Sequence, residues 1–283
     1  STRVRSSAAS DVYKRQIDKE RQNADLLMAR MIQRLLKETK GQLVSFNGGT
    51  KDNAIPRECE ASLIYESDEE AAKAEELACE LAETYAEELT PAEPDFSCEI
   101  SCETNRTAEA IPQDAAKEFI CAMRLAPNGI QKRNIKMDGF VVVSLNLGVV
   151  RTEEDRIVMI FSPRSSVASL QEDTKERLNT LAETFGFTVS HSSEYPGWSF
   201  KEDSPVREIC KESYKELFGE DLKIEAIHAG LECGLFSDAI KGLDAIAIGP
   251  TIANCHTPDE YLTLDSFERF YEFLKDILSR LAK

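Results

Sequence analysis

The sequence predicts an α/β protein: an α+β unit with an antiparallel sheet, followed by a piece of an α/β unit with a mostly parallel sheet. Two apolar-rich stretches, 139–150 and 155–163, flank the polar turn Thr152-Glu153-Glu154 and read as a hairpin, the mark of antiparallel pairing. After Tyr195-Pro196-Gly197-Trp198 the pattern changes, and helices alternate with short apolar strands, which signals parallel strands. The chain has 283 residues, 42% of them hydrophobic, enough for two cores of ordinary size.

Residues 1–16 (STRVRSSAASDVYKRQ) show no apolar periodicity and carry a local basic excess in an acidic protein. They lack the apolar core of a signal peptide. They are expected to stand outside the fold, as a foreign segment or disordered tail, with the chain the later part of a larger protein.

Residues 17–40 form a helix, with Ala24, Met28, Met31 and Leu35 on one stripe and Gly41 ending it. A strand at 43–46 leads into the turn Asn47-Gly48-Gly49-Thr50, and Pro56 marks the entry to an alternating strand at 58–65. Ser67, with Glu70 three residues on, caps an acidic helix over 67–88. A strand at 96–103, a helix at 108–125 and the turn Pro127-Asn128-Gly129 precede the hairpin. A helix at 167–185 and a short strand at 188–190 close the first unit. Beyond it lie helix 205–218, strand 222–227, a helix near Leu235, strand 245–248 and helix 264–281, whose Phe267, Phe270, Tyr271, Leu274, Ile277, Leu278 and Leu281 make an i, i+3, i+4 stripe. Two strands are too few for a sheet covered on both faces, so partner strands are expected from elsewhere.

Basic residues number 34 and acidic residues 51, a formal charge of −17 that argues against nucleic acid or an anionic membrane as the main partner. No stretch approaches the length of a membrane span. The eight cysteines lack the density of a disulfide scaffold and form no Cys-x-x-Cys pair, so reduced thiols in the cytoplasm are expected.

The residues that could carry chemistry cluster late. Leu243 begins LDAIAIGPTIANCHTPDE, in which strand 245–248 is stopped by Gly249-Pro250. His256 then precedes the capped turn Thr257-Pro258-Asp259-Glu260. A second polar loop, His228-Ala229-Gly230-Leu231-Glu232-Cys233-Gly234, leaves strand 222–227. If the strands are neighbours, the loops meet outside their carboxyl ends, where open α/β sheets bind ligands. Imidazole and carboxylate suit zinc, but one His and one Glu do not make a site. Arg164 could clamp a carboxylate or be an ordinary surface arginine. Cys233 and Cys255, close to histidines, could be nucleophiles or small buried hydrophobes.

Several motifs occur in order: Asn47-Gly48-Gly49-Thr50 with Asn53-Ala54-Ile55-Pro56-Arg57-Glu58; Ser144-Leu145-Asn146-Leu147-Gly148; Arg164-Ser165-Ser166; Tyr195-Pro196-Gly197-Trp198; the His228–Phe236 loop; Ile248-Gly249-Pro250-Thr251; and His256-Thr257-Pro258-Asp259-Glu260. Together they resemble the bacterial cytosolic aminoacyl-histidine (Xaa-His, non-specific) dipeptidases of the di-zinc aminopeptidase/aminoacylase superfamily. The resemblance implies a lid domain over 17–197 and the C-terminal part of a catalytic domain over 198–283. It implies two zinc ions per subunit in the intact enzyme, with other divalent metals open, and hydrolysis of dipeptides by metal-activated water. His256 inherits a zinc-ligand role. Asn53 and Arg164 match lid positions that approach the substrate or its C-terminal carboxylate, and Gly230 and Glu232 match a substrate-facing loop. A homodimer stays open.

The sequence also departs from the family. A Gly-Gly-His-Ser-Gly segment is expected just before residue 17, where Val12-Tyr13-Lys14-Arg15-Gln16 stands. The other zinc ligands and the general base lie further upstream in the family, so no catalytic residue is assigned and this chain alone is expected not to hydrolyse peptides. A non-catalytic binding or dimerisation module is the alternative.

Overall fold

Asn23 opens the first helix, α1 (Ala24–Glu38). Its side-chain oxygen accepts from the N–H groups of Asp25 (3.0 Å) and Leu26 (3.3 Å), donors that a first helical turn leaves without partners. The expected start near residue 17 is therefore corrected: residues 21–23 are not helical, and the Asn23 cap sets the boundary. The computed structural model describes residues 2–8, 21–89, 93–104, 107–135, 139–192, 197–198, 200–225, 232–254 and 260–282.

The first unit is built on a seven-stranded antiparallel sheet, made of β1 (Thr2–Ala8), β2 (Gln42–Gly48), β3 (Glu58–Ile64), β4 (Phe96–Cys102), β5 (Gly129–Asn134), β6 (Phe140–Thr152) and β7 (Ile157–Ser165). The order is β4-β1-β3-β2-β6-β5, with β7 paired to β6. The antiparallel sheet and the 152–154 hairpin turn agree with expectation, and Glu153 N–H closes that turn on the Arg156 carbonyl at 2.8 Å. Two strands differ. Thr2–Ala8, expected outside the fold, lies between β3 and β4 and pairs with both. Ladder bonds are made by backbone groups that every non-proline residue carries, so a segment without apolar periodicity can fill such a slot. β5 gave no alternating apolar pattern, and it is held by its pairing with β6.

Helices α1, α2 (Asp68–Leu89) and α3 (Gln113–Leu125) pack on this sheet. The expected α1 stripe is buried throughout: Ala24, Met28, Met31 and Leu35 join Phe46, Leu63, Tyr85, Phe119 and Leu147 in one core. Phe46 and Phe119 meet edge-to-face at 5.4 Å. Ser67 caps α2 as predicted, accepting from Glu70 N–H at 3.3 Å. Helix α4 (Ala168–Thr184) packs on β6 and β7.

The second part is a helical pair. α5 (Pro205–Phe218) starts at Ser204, whose hydroxyl accepts from Arg207 N–H (3.2 Å), and ends at Gly219 in the left-handed region (φ 72°). It packs on α7 (Leu264–Leu281) through Cys210, Phe273 and Ile277. Ser213 donates to Asp276 (2.6 Å), and Arg280 bridges Asp276 and Glu216. α6 (Glu232–Ala239) falls where a helix near Leu235 is expected. The strands expected at 188–190, 222–227 and 245–248 do not form among the described residues; 243–250 runs without a ladder and is half-buried to exposed. A strand needs a neighbour's N–H and C=O groups, and none among the described residues pairs with it. The ladder in this part is β8 (Ile252–Ala253) with β9 (Tyr261–Leu262), two residues each. The α7 stripe is only partly covered, with Phe267, Tyr271, Leu278 and Leu281 exposed.

Candidate functional site

The loop between β2 and β3 carries Asn53, and its path is dictated by glycines and one asparagine. Gly49 takes a positive φ (67°), and a Cβ there would stand 2.0 Å from the Gly148 carbonyl oxygen. A Cβ on Gly148 would in turn stand 2.3 Å from the Asp52 carbonyl oxygen and 2.6 Å from its Cα. Backbone lies against backbone here, which only glycine permits. The Asn146 amide donates to the carbonyls of Asp52 (3.1 Å) and Ala54 (2.8 Å). Asn53 itself is exposed at the tip of this clamped turn.

Arg164 lies in β7 directly opposite Ser144 of β6. Cross-strand partners share a face, and residues i and i+2 of a strand share a face, so Ser144, Arg164 and Asn146 stand on one side of the sheet. Ser144 and Asn146 are about 7 Å apart along the strand. The register shift in this pair falls later, between Leu147 and Val149, and leaves the relation intact. Strand β6 therefore brings Arg164 and the Asn53 loop to the same face. Gly197 packs against the next residues: its Cβ would stand 2.6 Å from the Ser165 carbonyl oxygen. The motif ending in Gly197-Trp198 thus meets the motif that begins at Arg164.

Beneath the loop entry lies Asp25, fully buried, with neither carboxylate oxygen given a nitrogen or oxygen donor among the described residues. Burial pushes its carboxyl up to about 7, and a hydrogen bond with the Cys59 thiol lowers it only in part. Burial, then the charge of Asp25, pushes the Cys59 thiol well above its usual range. A Cβ on Gly48 would fall 1.7 Å from Asp25 Oδ1.

The other candidates are placed less closely. Glu232 is the exposed first residue of α6, and no hydrogen bond or ion pair among the described residues joins it to Arg164 or the Asn53 loop. Gly230 and His256, with His228, Cys255 and the capped turn at 257–259, lie outside the described residues. What is described of the His256 segment is its base. Ile252 pairs with Leu262 and Ala253 with Tyr261, and Thr263 N–H donates to the Thr251 carbonyl (3.1 Å). A cleft of about 1410 Å³ runs from Ser166 and Trp198 past Arg207 to Ile246, Pro250 and Arg269, and none of Asn53, Arg164 and Glu232 lines it. No group of three His, Cys, Asp or Glu side chains suited to a metal ion stands together among the described residues. Sequence reasoning gave no role to Asn146, although an asparagine inside an apolar strand is itself a signal, because strands disfavour that residue.

Residues 49–280 match the profile of Peptidase family M20/M25/M40. The chain belongs to this family. It is 32% identical over 263 residues to the cytosol non-specific dipeptidase of Escherichia coli (strain K12), a match covering 92% of this chain and 53% of that protein. The crystal structure of aminoacylhistidine dipeptidase from Vibrio alginolyticus superposes with a TM-score of 0.88 at 30% identity, covering 99% of this chain and 57% of that one. The chain thus spans about half the length of these relatives in the M20/M25/M40 family. No helix among the described residues is long and apolar enough to cross a membrane.

Proposed function

We propose that this chain is the substrate-holding lid and one wall of the metal site of a cytoplasmic zinc dipeptidase that cleaves Xaa-His and other dipeptides. The lid runs over 17–197, with β1 (Thr2–Ala8) joining its sheet, and 198–283 belongs to the catalytic domain. Two relatives are named as dipeptidases, and peptidases of this family are generally metal dependent. The observation that carries the reading is the face shared by β6 and β7, which bears Arg164 and meets the clamped Asn53 loop. A guanidinium and a neutral amide so arranged suit a short zwitterion: Arg164 takes the terminal carboxylate bidentately, and Asn53 takes a polar group nearer the scissile bond. Gly230 and Glu232 line the opposite side of the substrate, and His256 is a zinc ligand. The described residues do not by themselves compose a metal site, so what this chain does is read from the groups that bind and orient substrate.

The test compares a free Xaa-His dipeptide with its C-terminal amide, using protein at the full length of the relatives. Loss of a hydrogen-bonded charge pair costs about 2 kcal/mol, so Arg164→Ala is expected to lower kcat/KM for the free dipeptide roughly 30-fold. The amide should be cleaved equally by both proteins. An Arg164→Ala enzyme that retains wild-type preference for the free carboxylate refutes the reading.

A further inference from the structure

The loop carrying Asn53 is held by a residue with no role in the reading above. Asn146 sits within β6, 8% exposed, in the apolar run Val141 to Val150. Both of its described hydrogen bonds go to the carbonyls of Asp52 and Ala54, the two residues that flank Asn53. These acceptors fix which end of the amide carries nitrogen; Oδ1 is buried without a hydrogen-bond partner among the described residues. Leaving an oxygen so placed is unfavourable, and it is tolerated where the amide's other end makes two good bonds.

The surroundings are organised for the same contact. The next residue, Leu147, sends its N–H to Asn128 Oδ1 (2.8 Å), and its carbonyl accepts from Asn23 Nδ2 (2.8 Å). β6 thus spends its polar groups at this point on asparagines as well as on the ladder. Gly148 then lets the Asp52 backbone come within contact. The chemistry calls for asparagine at 146. Serine offers one donor, a carboxylate would repel both carbonyls, and an apolar side chain leaves them without donors.

We propose that Asn146 is a positioning residue: by clamping the carbonyls on either side of Asn53, it fixes where that side chain is presented on the face bearing Arg164. The functional half of this rests on the substrate-holding reading of Asn53; the clamp itself does not.

Two measurements separate the halves. Hydrogen exchange is followed at the Ala54 amide, which bonds the Lys51 carbonyl within the loop (3.2 Å). Losing two ordinary hydrogen bonds should speed its exchange roughly 30-fold in Asn146→Ala, with the amides of β2 and β3 unchanged. Should that variant unfold, Asn146→Asp keeps the shape: its neutral form can clamp one carbonyl and its ionised form none, so Ala54 exchange relative to wild type should rise with pH. Wild-type exchange at Ala54 in either folded variant overturns the clamp. The second measurement is a double-mutant cycle on protein at the full length of the relatives. Asn146→Ala should raise KM more than it lowers kcat, and Asn53→Ala/Asn146→Ala should be no worse than Asn53→Ala. Additive effects overturn the coupling. If Asn53→Ala alone keeps the wild-type KM, the substrate reading of Asn53 fails and takes the functional half with it, while exchange still decides the clamp.

Discussion

Replacing Asp25 by asparagine should flatten the dependence of stability on pH. Asp25 lies in the first turn of α1 at 0% exposure, its carboxyl raised from 3.8 to about 7 by burial. In the unfolded chain the carboxyl ionises at its ordinary value. Between the two values the folded protein holds a proton that the unfolded chain has released, so raising the pH favours unfolding. The contribution is fully present below 3.8, falls as pH rises toward 7, and is gone above it. At about 1.4 kcal/mol per pH unit the whole interval is worth roughly 4 kcal/mol, an upper bound because local opening would let water reach the carboxylate. Between pH 5 and pH 8 the loss should be about 2–3 kcal/mol.

Asparagine has the same shape and no charge, so Asp25→Asn should match wild type below pH 3.8, and its advantage should grow by about 2–3 kcal/mol between pH 5 and pH 8. Urea unfolding of this chain at both values reads the difference between the two proteins, in which every other titrating group cancels. The reasoning fails if the two stability profiles run parallel from pH 5 to pH 8. A parallel result would mean that Asp25 ionises in the folded state as easily as in water, which its burial without a nitrogen or oxygen donor forbids.

Two further outcomes follow from other residues. Asn23→Ala removes a helix cap and the bond to the Leu147 carbonyl together, and should cost about 2–3 kcal/mol in urea unfolding; a loss below about 0.5 kcal/mol would show that neither matters. His256→Ala, in protein at the full length of the relatives, should lower zinc stoichiometry measured by elemental analysis after dialysis from about two per subunit toward one, and unchanged stoichiometry and affinity would reject His256 as a ligand.

Regular periodicity was legible. The α1 stripe, the bounds of α5 and α7, and the long hairpin of β6 and β7 follow from spacing and caps that local physics fixes. What spacing could not reveal depends on partners far along the chain. Strand β1 is a strand because β3 and β4 stand on either side of it. Residues 245–248 carry a strand's composition and form no ladder among the described residues, since a ladder needs a neighbouring backbone that local composition does not supply.

The candidate site divides along the same line. Asn53 and Arg164 can be named from their motifs, but 111 positions separate them in sequence and nothing local says that they meet. They come to one face of the sheet through β6, which pairs Ser144 with Arg164 and, two residues on, turns Asn146 toward the loop. Gly49 and Gly148 belong to different motifs: the Gly148 carbonyl fills the place of a side chain on Gly49, and the Asp52 backbone fills the place of one on Gly148. The Asn47-Gly48-Gly49-Thr50 and Ser144–Gly148 motifs are therefore two sides of one contact. An asparagine amid valines and leucines is costly to the strand and explicable only by what it holds, so the residue least suited to β6 as a strand is the one that holds the Asn53 loop on the face bearing Arg164.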